Sequence, residues 1–505
     1  MASTITDKWK QGLLNDFWTS FHHLDSTKDS DFYYIGIGRS EEWPNETDTP
    51  PTPTPDHNTV AEFQGSLQAA KRVLDLSYVV PRYNWTPGSV FTAWTDKNHS
   101  DTSVGTLADI VGSYYVITDE HNVYVCLQQG KASDGSVRNS IYKPTSVAYD
   151  PFEAGPDGYV WKFLYNVGTY NSRRYLTSEW MPVERILDSN EGGAGYEELS
   201  ASRQAQLAVQ QAAVPGQILG MEILNSGSDY DSLNPPVISV HGECDDSAFA
   251  FAKIDNNGRL YEVVMKDSAD SLYWKFGEGY GERTWVTVAG AGGAELRPII
   301  HRDEGGFGND PRKDLNSSAL MYSVRIIGDE YKVFNVKNDF RQVGLIKNPL
   351  KDSATADTFT GDSDYKGVRG TALKKIYVNT GIYDDKTDLD NTVTGLTSGA
   401  KAILDYYDIY VDSDCCDPVN DVTNRVLMVH QNIETGFGDF VVGEAVQLSD
   451  GGGTATIIGH TDSNVPAMRY ADFDGRSGEV LFVDNRLQID RDEDQTEDIK
   501  IVIDL

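Results

Sequence analysis

Cysteine is scarce in this chain, with four in 505 residues, too few for a disulfide framework. Cys126 sits in the strand-like NVYVCLQQ and Cys244 in HGECDD, and neither has a partner at metal-ligand spacing. Cys415 and Cys416 are adjacent, a poor geometry for a bridge between them, and the CxxC spacing of zinc and redox sites is absent. Free thiols are the expectation. Basic charge is also short: 43 Lys and Arg against 77 Asp and Glu leave a formal charge of −34. Gripping nucleic-acid phosphates takes clustered Lys and Arg, and so does docking on an anionic membrane surface; neither partner is expected. No apolar run reaches about 18 residues, so no membrane-spanning helix is expected. The opening MASTITDKWKQG lacks the basic start and apolar stretch of a secretory signal.

Catalytic signatures are missing as well. The sequence has no GxxxxGK[ST] phosphate loop, no GxSxG elbow and no HExxH. Its nine histidines are scattered, and only His22 and His23 are neighbours. With 77 carboxylates, a chance acidic pair carries little meaning, and a glycosidase needs two brought together in a cleft. Asp384, Asp385, Asp388 and Asp390, and likewise Asp412, Asp414 and Asp417, offer oxygen ligands for calcium, but neither set follows the D-x-[DN]-x-[DN]-G loop. They read as solvated acidic loops. No catalytic, cofactor-binding or metal-binding residue is assigned, and no cofactor is expected.

What is present is ample core material: 39% hydrophobic and 11% aromatic residues, enough for two to four domains. Trp9, Leu13 and Phe17 recur every fourth residue, widened by Leu14, Trp18 and Phe21, which predicts a helix over 7–21. Its stripe packs on the same chain or on a partner. FYYIGIG at 32–38 reads as a strand. Five prolines across 39–58 exclude helix and central strand there. A second helix is expected next, with Thr59 and Glu62 at capping-box spacing and Phe63, Leu67, Ala70 and Leu74 buried, ending before Pro81.

From 88 to 190 the pattern is strands: SYYVITD, HNVYVCLQQ and YVWKFLYNV. Tyr159, Trp161, Phe163 and Tyr165 alternate onto one face, which reads as the inner face of a packed sheet, a carbohydrate platform being the alternative. Residues 197–213 form an Ala/Gln-rich helix with the look of a connector, halted by Val214-Pro215-Gly216. Over 216–300 a weak repeat, NSGSDY with PPVISVHGECDDSAFAFA and FGEGY with TWVTVAGAGGAELRPI, suggests one small β domain built by duplication. MYSVRII and QVGLI are strands, 351–365 reads as a boundary, and 366–465 holds strands spaced as in a small barrel or sandwich. The alternation of Ile499, Ile501, Ile503 and Leu505 predicts a terminal strand that buries one face inside a sheet. Two classes fit these observations. One is a β-rich structural or assembly protein; the other is a glycan-active β protein with acidic clefts and aromatic platforms.

Several separated stretches then align in order: Gly38-Arg39-Ser40-Glu41 with Trp43; Val80-Pro81-Arg82 with Trp85; Asp157-Gly158-Tyr159-Val160-Trp161; Phe340-Arg341-Gln342 leading to Asn348-Pro349-Leu350; and Gly478-Glu479, Asn485-Arg486 and Asp494-Gln495-Thr496-Glu497 before the final strand. Read together, the sequence resembles the baseplate wedge subunits of T-even-type contractile-tailed bacteriophages, those of the gene-product-eight type. The likeness covers roughly 30–190, 320–350 and 475–505 and is weak or absent over 216–300 and 366–465.

The resemblance implies a mainly β (α+β) fold: a multidomain β-sandwich core with flanking helices and two inserted small β domains. It also implies a non-enzymatic virion protein, a homodimer in the tail baseplate that contacts the other wedge subunits and takes part in baseplate assembly and its rearrangement on sheath contraction. Assembly would take place in the host cytoplasm. Tail-fibre or peripheral baseplate proteins are candidate partners of the inserted blocks, and a baseplate-attached glycan-binding or glycan-degrading protein is the second reading. The expected division is an N-terminal helix in 1–30, core in 31–196, connector in 197–215, inserted domain in 216–300 and core in 301–350. A linker in 351–365, a second inserted domain in 366–465 and closing strands in 466–505 complete it. Arg39, Trp43, Pro81, Arg82, Trp85, Asp157, Gly158, Tyr159, Trp161, Phe340, Arg341, Asn348, Pro349, Asn485, Arg486, Gln495 and Thr496 read as fold determinants. Trp9, Leu13 and Phe17 are candidate partner contacts.

Overall fold

A computed structural model describes residues 6–22, 31–44, 49–97, 113–186, 200–268, 271–330, 332–353, 355, 357–359, 369–379, 389–409, 425–449, 453–459 and 466–505. The protein is mainly β, with several antiparallel sheets and few helices. The chain divides into two compact units, one of residues 1–15, 77–321 and 502–505, the other of 16–76 and 322–501. The division falls between Leu76 and Ser77, inside the expected 31–196 segment.

In the first unit a four-stranded sheet joins Tyr115–Ile117, Asn122–Gln128, Val160–Asn166 and Phe152–Glu153 in that spatial order. Its core holds Phe91, Tyr124, Cys126, Tyr159, Trp161 and Phe163, all sealed from solvent. The aromatic alternation after Gly158 is therefore packing, not a platform. Rings meet edge to face, Phe91 on Trp161 at 5.4 Å and Tyr124 on Phe163 at 5.7 Å, the arrangement that aromatic quadrupoles favour. The helix Ala201–Gln211, capped by the Ser200 side chain at Arg203 N, adds Val209 to this core. It buries Gln206, Val209 and Gln210 in the first unit.

Residues 218–300 form three two-stranded ladders: Ile218–Asn225 with Glu295–Ile300, Ile238–His241 with Trp285–Val288, and Phe251–Ile254 with Leu260–Val264. The pairing is nested, outermost with outermost. The strands PPVISV and TWVTV of the two repeat copies pair with each other, Ile238 opposite Val288.

In the second unit five antiparallel strands run in the order Arg369–Thr371, Leu67–Arg72, Tyr33–Gly38, Phe340–Lys347 and Glu479–Ile489. The expected second helix is overturned over most of its length. The helix is only His57–Gly65, and Leu67–Arg72 and Leu76–Pro81 are strands. Its N-cap is Asp56, whose carboxylate accepts from Thr59 N at 2.9 Å, so Thr59 lies inside the helix and is not its cap. Leu74, expected in the buried face, is 60% exposed. Phe63 explains why a helix and a strand follow so closely: its ring seats over Gly36 and Gly344, which face each other across paired strands. A Cβ on Gly344 would stand 2.4 Å from the Phe63 ring, a close approach only glycine permits.

The described strands between 374 and 457 build a closed barrel. Six strands of a seven-stranded sheet pair in the order Thr454–Thr456, Ala445–Leu448, Thr392–Gly395, Lys401–Ile409, Arg425–His430 and Lys374–Val378, and the seventh, Met468–Arg469, pairs with the last of these. The first of the six joins the sixth through the Val378–Ile457 bridge and the bonds Asn379 N to Thr456 O (3.1 Å) and Ile458 N to Tyr377 O (2.7 Å). Closure removes both sheet edges. Period-2 residues fill the interior: Ile376 and Val378, Ala402 and Leu404, Leu427 and Val429, Val446 and Leu448, Ala455 and Ile457. Of the two architectures open for 366–465, the barrel is the one formed, and Arg369–Thr371 belongs to the five-stranded sheet.

The C-terminal strand, Thr496–Asp504, lies at the edge of a four-stranded sheet beside Ala319–Ile327, not in its interior. Only Ile501 of its alternating set is fully buried.

Candidate functional site

The segments Gly38–Trp43, Phe340–Gln342 and Asn485–Arg486, scattered over some 450 positions of sequence, are joined in the second unit. The buried Arg341 guanidinium donates to the Ser40 carbonyl and pairs with Asp339 at 3.0 Å. Trp43 donates from Nε1 to the Arg486 carbonyl at 2.8 Å, with the Arg39 guanidinium 4.0 Å above its ring. Gln342 Nε2 donates to Asn485 Oδ1 at 2.9 Å, and Asn485 donates in turn to the Pro51 carbonyl. Asn348, held at φ 50°, accepts from Phe32 N and donates to Asp31, just ahead of Pro349. Phe340 is buried at the head of its strand. The acidic stretch 490–498 is not all solvated. Arg491 turns inward to Glu497 at 2.9 Å and to the carbonyls of Phe334 and Gly328, and Gln495, preceding Thr496, accepts from Gly328 N.

In the first unit Arg82, after Pro81, donates to the Thr177 carbonyl at 2.7 Å and to Asn84 at 2.9 Å. Trp85 donates to Ser140 at 3.1 Å. Asp157 is buried, accepting from the backbone of Ile141, Tyr142 and Tyr159, and Gly158 takes φ 85° to turn the chain into the Trp161 strand. These side chains hold loops to strands. On the first helix, Asp7–His22, Trp9 is 54% exposed, Leu13 and Phe17 are half-buried, and Leu14 is the residue fully covered.

Two clusters of buried ionisable groups went unremarked in the sequence. In the second unit His430, at the end of the strand RVLMVH, lies between Asp405 (Nδ1 to Oδ2, 2.6 Å) and Glu41 (Nε2 to Oε1, 3.0 Å). Asn432 also donates to Glu41, at 3.2 Å. Burial disfavours the imidazolium, but the charges and hydrogen bonds of Asp405 and Glu41 outweigh it and raise His430 to about 10. Burial likewise opposes the Glu41 carboxylate, and the His430 bond and charge override it, holding the carboxyl down at about 2. Asp405, wholly enclosed, is pushed up by burial. A Ser-Glu pair in a polar loop and a His ending an apolar strand gave no cue that they meet.

In the first unit Lys162 is the charged residue of the strand VWKFLYN, which is buried on both faces from Val160 to Tyr165. A lysine there was the available signal. Its ammonium donates to the Tyr149 carbonyl at 2.9 Å and is lowered to about 8 by burial, against the pull of Asp314 and Asp150. Asp314 is enclosed, accepts from Gly308 N at 2.9 Å and lies 3.2 Å from His301 Nε2; burial raises its carboxyl despite that bond. Lys162 lines a pocket of about 270 Å3.

Among the described residues no group of three His, Cys, Asp or Glu side chains is placed to hold a metal ion. Asp384, Asp385, Asp388, Asp412, Asp414 and Asp417, with Cys415 and Cys416, lie outside the described residues. Cys126 is buried and Cys244 exposed, both as free thiols. No helix among the described residues is long and apolar enough to cross a membrane. No protein-family model matches the chain, and no curated protein matches it.

Proposed function

We propose that this protein is a non-enzymatic structural subunit of a contractile-tail baseplate wedge. It acts as a homodimer that joins the other wedge proteins, with the 216–300 and 366–465 blocks available to tail-fibre or peripheral baseplate proteins. The observation that carries this reading is the convergence of motif residues in the second unit. Residues that align with the family only by their order along the chain touch one another: Arg341 with Ser40, Trp43 with Arg486, and Gln342 with Asn485. A fold shared with the family requires such meetings, whereas chance matches have no reason to share one sheet. Rigid sheets and a closed barrel also suit a part that transmits shape change, because coupling is carried by packed elements with discrete arrangements.

Co-expression with the other wedge proteins of the same particle, followed by sedimentation, tests the reading. The expected result is a stoichiometric complex containing two copies of this chain. Its charge of −34 calls for basic patches on those neighbours, so the complex should loosen as salt rises. Sedimentation of this chain apart from every other wedge protein would falsify the assignment.

A further inference from the structure

We propose that the pocket over Lys162 in the first unit binds an uncharged saccharide ring, such as the terminal residue of a glycan, independently of any wedge role. The ammonium of Lys162 carries three donors, and the Tyr149 carbonyl takes one of them. No other acceptor among the described residues takes the remaining two, although the residue is only 7% exposed. A buried charged donor with unspent hydrogen bonds is costly to keep unless something fills the space beside it. That space is the pocket, about 270 Å3, just under the ~300–1,000 Å3 of sites for drug-sized ligands. It has room for one ring, with the rest of a chain left outside.

The lining selects the chemistry. Asp246 and Glu278 are cross-strand neighbours, with Glu278 N donating to Asp246 O at 3.0 Å. With Asp150 they put three acidic residues in a lining that also holds Lys162 and Lys275. The lining carries charges of both signs, so an anion meets acidic residues and a cation meets lysines, and neither suits the site. A polyol suits both: its oxygens accept from the ammonium while its hydroxyls donate to the carboxylates. Tyr273 supplies aromatic surface for the C–H face of a ring, while the neighbouring Trp274 ring is already taken up by Lys266 at 4.4 Å and by Phe276 stacked at 5.9 Å. Tyr273 is 74% exposed, a large ring left in water at the rim.

The test is saturation-transfer NMR on the full-length protein with glucose, galactose, mannose and N-acetylglucosamine in turn. It is run on wild type, Lys162→Met and Tyr273→Ser, each checked for a cooperative thermal melt no lower than that of wild type. At least one sugar should give transfer with wild type, and each substitution should weaken binding by about tenfold or more, the size of one lost charge-assisted hydrogen bond or stacking contact. No transfer from any of the four sugars overturns the proposal, and so does undiminished binding in both variants. Should Lys162→Met fail to fold, Tyr273→Ser decides alone, because an exposed side chain is free to change, and wild-type binding there also overturns it. Wedge assembly is read separately by sedimentation and is unaffected by either result.

Discussion

Lys162 and His430 are both buried bases, one in each unit, and their surroundings move their protons in opposite directions. His430 lies between Asp405 at 2.6 Å and Glu41 at 3.0 Å and is raised to about 10. Lys162 has a neutral carbonyl at 2.9 Å as its hydrogen-bond partner and is lowered to about 8. Burial opposes the charge in both cases. What differs is whether a carboxylate is close enough to outweigh desolvation, which is a matter of contact geometry and not of depth. The His430 cluster behaves as a clamp and Lys162 as a site under electrostatic tension.

Removing one member of the clamp should give the largest effect. Asp405→Ala leaves a buried imidazolium with half its compensation, and breaking a buried pair in this way costs about 3–5 kcal/mol. Urea denaturation of the full-length protein is the measurement. A loss below about 1 kcal/mol would mean that His430 is neutral and the clamp uncharged.

Stability against pH separates the two bases without removing either partner. The folded value of His430 lies above its ordinary 6.5, so its contribution is complete below 6.5 and is lost as pH rises through about 10. Lys162 is a base whose folded value lies below its ordinary 10.5, so between about 8 and 10.5 the unfolded chain holds the proton that the folded chain has released. Stability from this group therefore rises with pH in that window. Each slope approaches about 1.4 kcal/mol per pH unit. Comparing wild type with His430→Gln and with Lys162→Met isolates them. The advantage of wild type over His430→Gln should shrink on the way to pH 10, and any deficit against Lys162→Met should close. Parallel curves would remove the contrast between the sites.

Lys162→Met at neutral pH comes next in size. It deletes a strained charge but leaves the Tyr149 carbonyl without its donor, and the two terms partly cancel. The outcome should fall between no change and a gain of about 2 kcal/mol. A loss beyond about 2 kcal/mol would show that the ammonium is well compensated, contrary to its lowered affinity for the proton.

The Lys162 cluster left one signal in the sequence, a lysine in a mostly apolar strand, while the His430 clamp left none, and the reason is specific. The alternation of Tyr159, Trp161 and Phe163 announces a buried face, and the Asp157-Gly158 turn announces where it starts; both depend on neighbours along the chain. Asp405 and His430 are 25 positions apart, and Glu41 is a further 364 away from Asp405, so the clamp depends on pairings that only the barrel and the five-stranded sheet bring about. The same limit explains the helix that stops at Gly65. Phe63, Leu67, Ala70 and Leu74 have helical spacing, but the strand Tyr33–Gly38 offers an unpaired edge to Leu67–Arg72, and tertiary pairing overrides local period. Barrel closure was half legible. Period-2 strands with turns were visible, while the Val378–Ile457 bridge that distinguishes barrel from sandwich was not.

The smallest effect sets the scale for the others. Arg325 and Asp498 form a two-pronged ion pair, Nε to Oδ1 at 2.6 Å and Nη2 to Oδ2 at 2.7 Å, as short as the contacts around His430. Their side chains, however, are 51% and 37% exposed. If contact length alone decided the value of an ion pair, Arg325→Ala would rival Asp405→Ala. Solvent screens the exposed pair in both states and solvates whichever partner is left behind, so the expected loss is about 0–1 kcal/mol, falling further with added salt. A loss of about 3 kcal/mol at moderate ionic strength would show that the geometry of the bridge, not its removal from water, sets the strength of charge pairs in this protein, and the contrast between Lys162 and His430 would then need another cause.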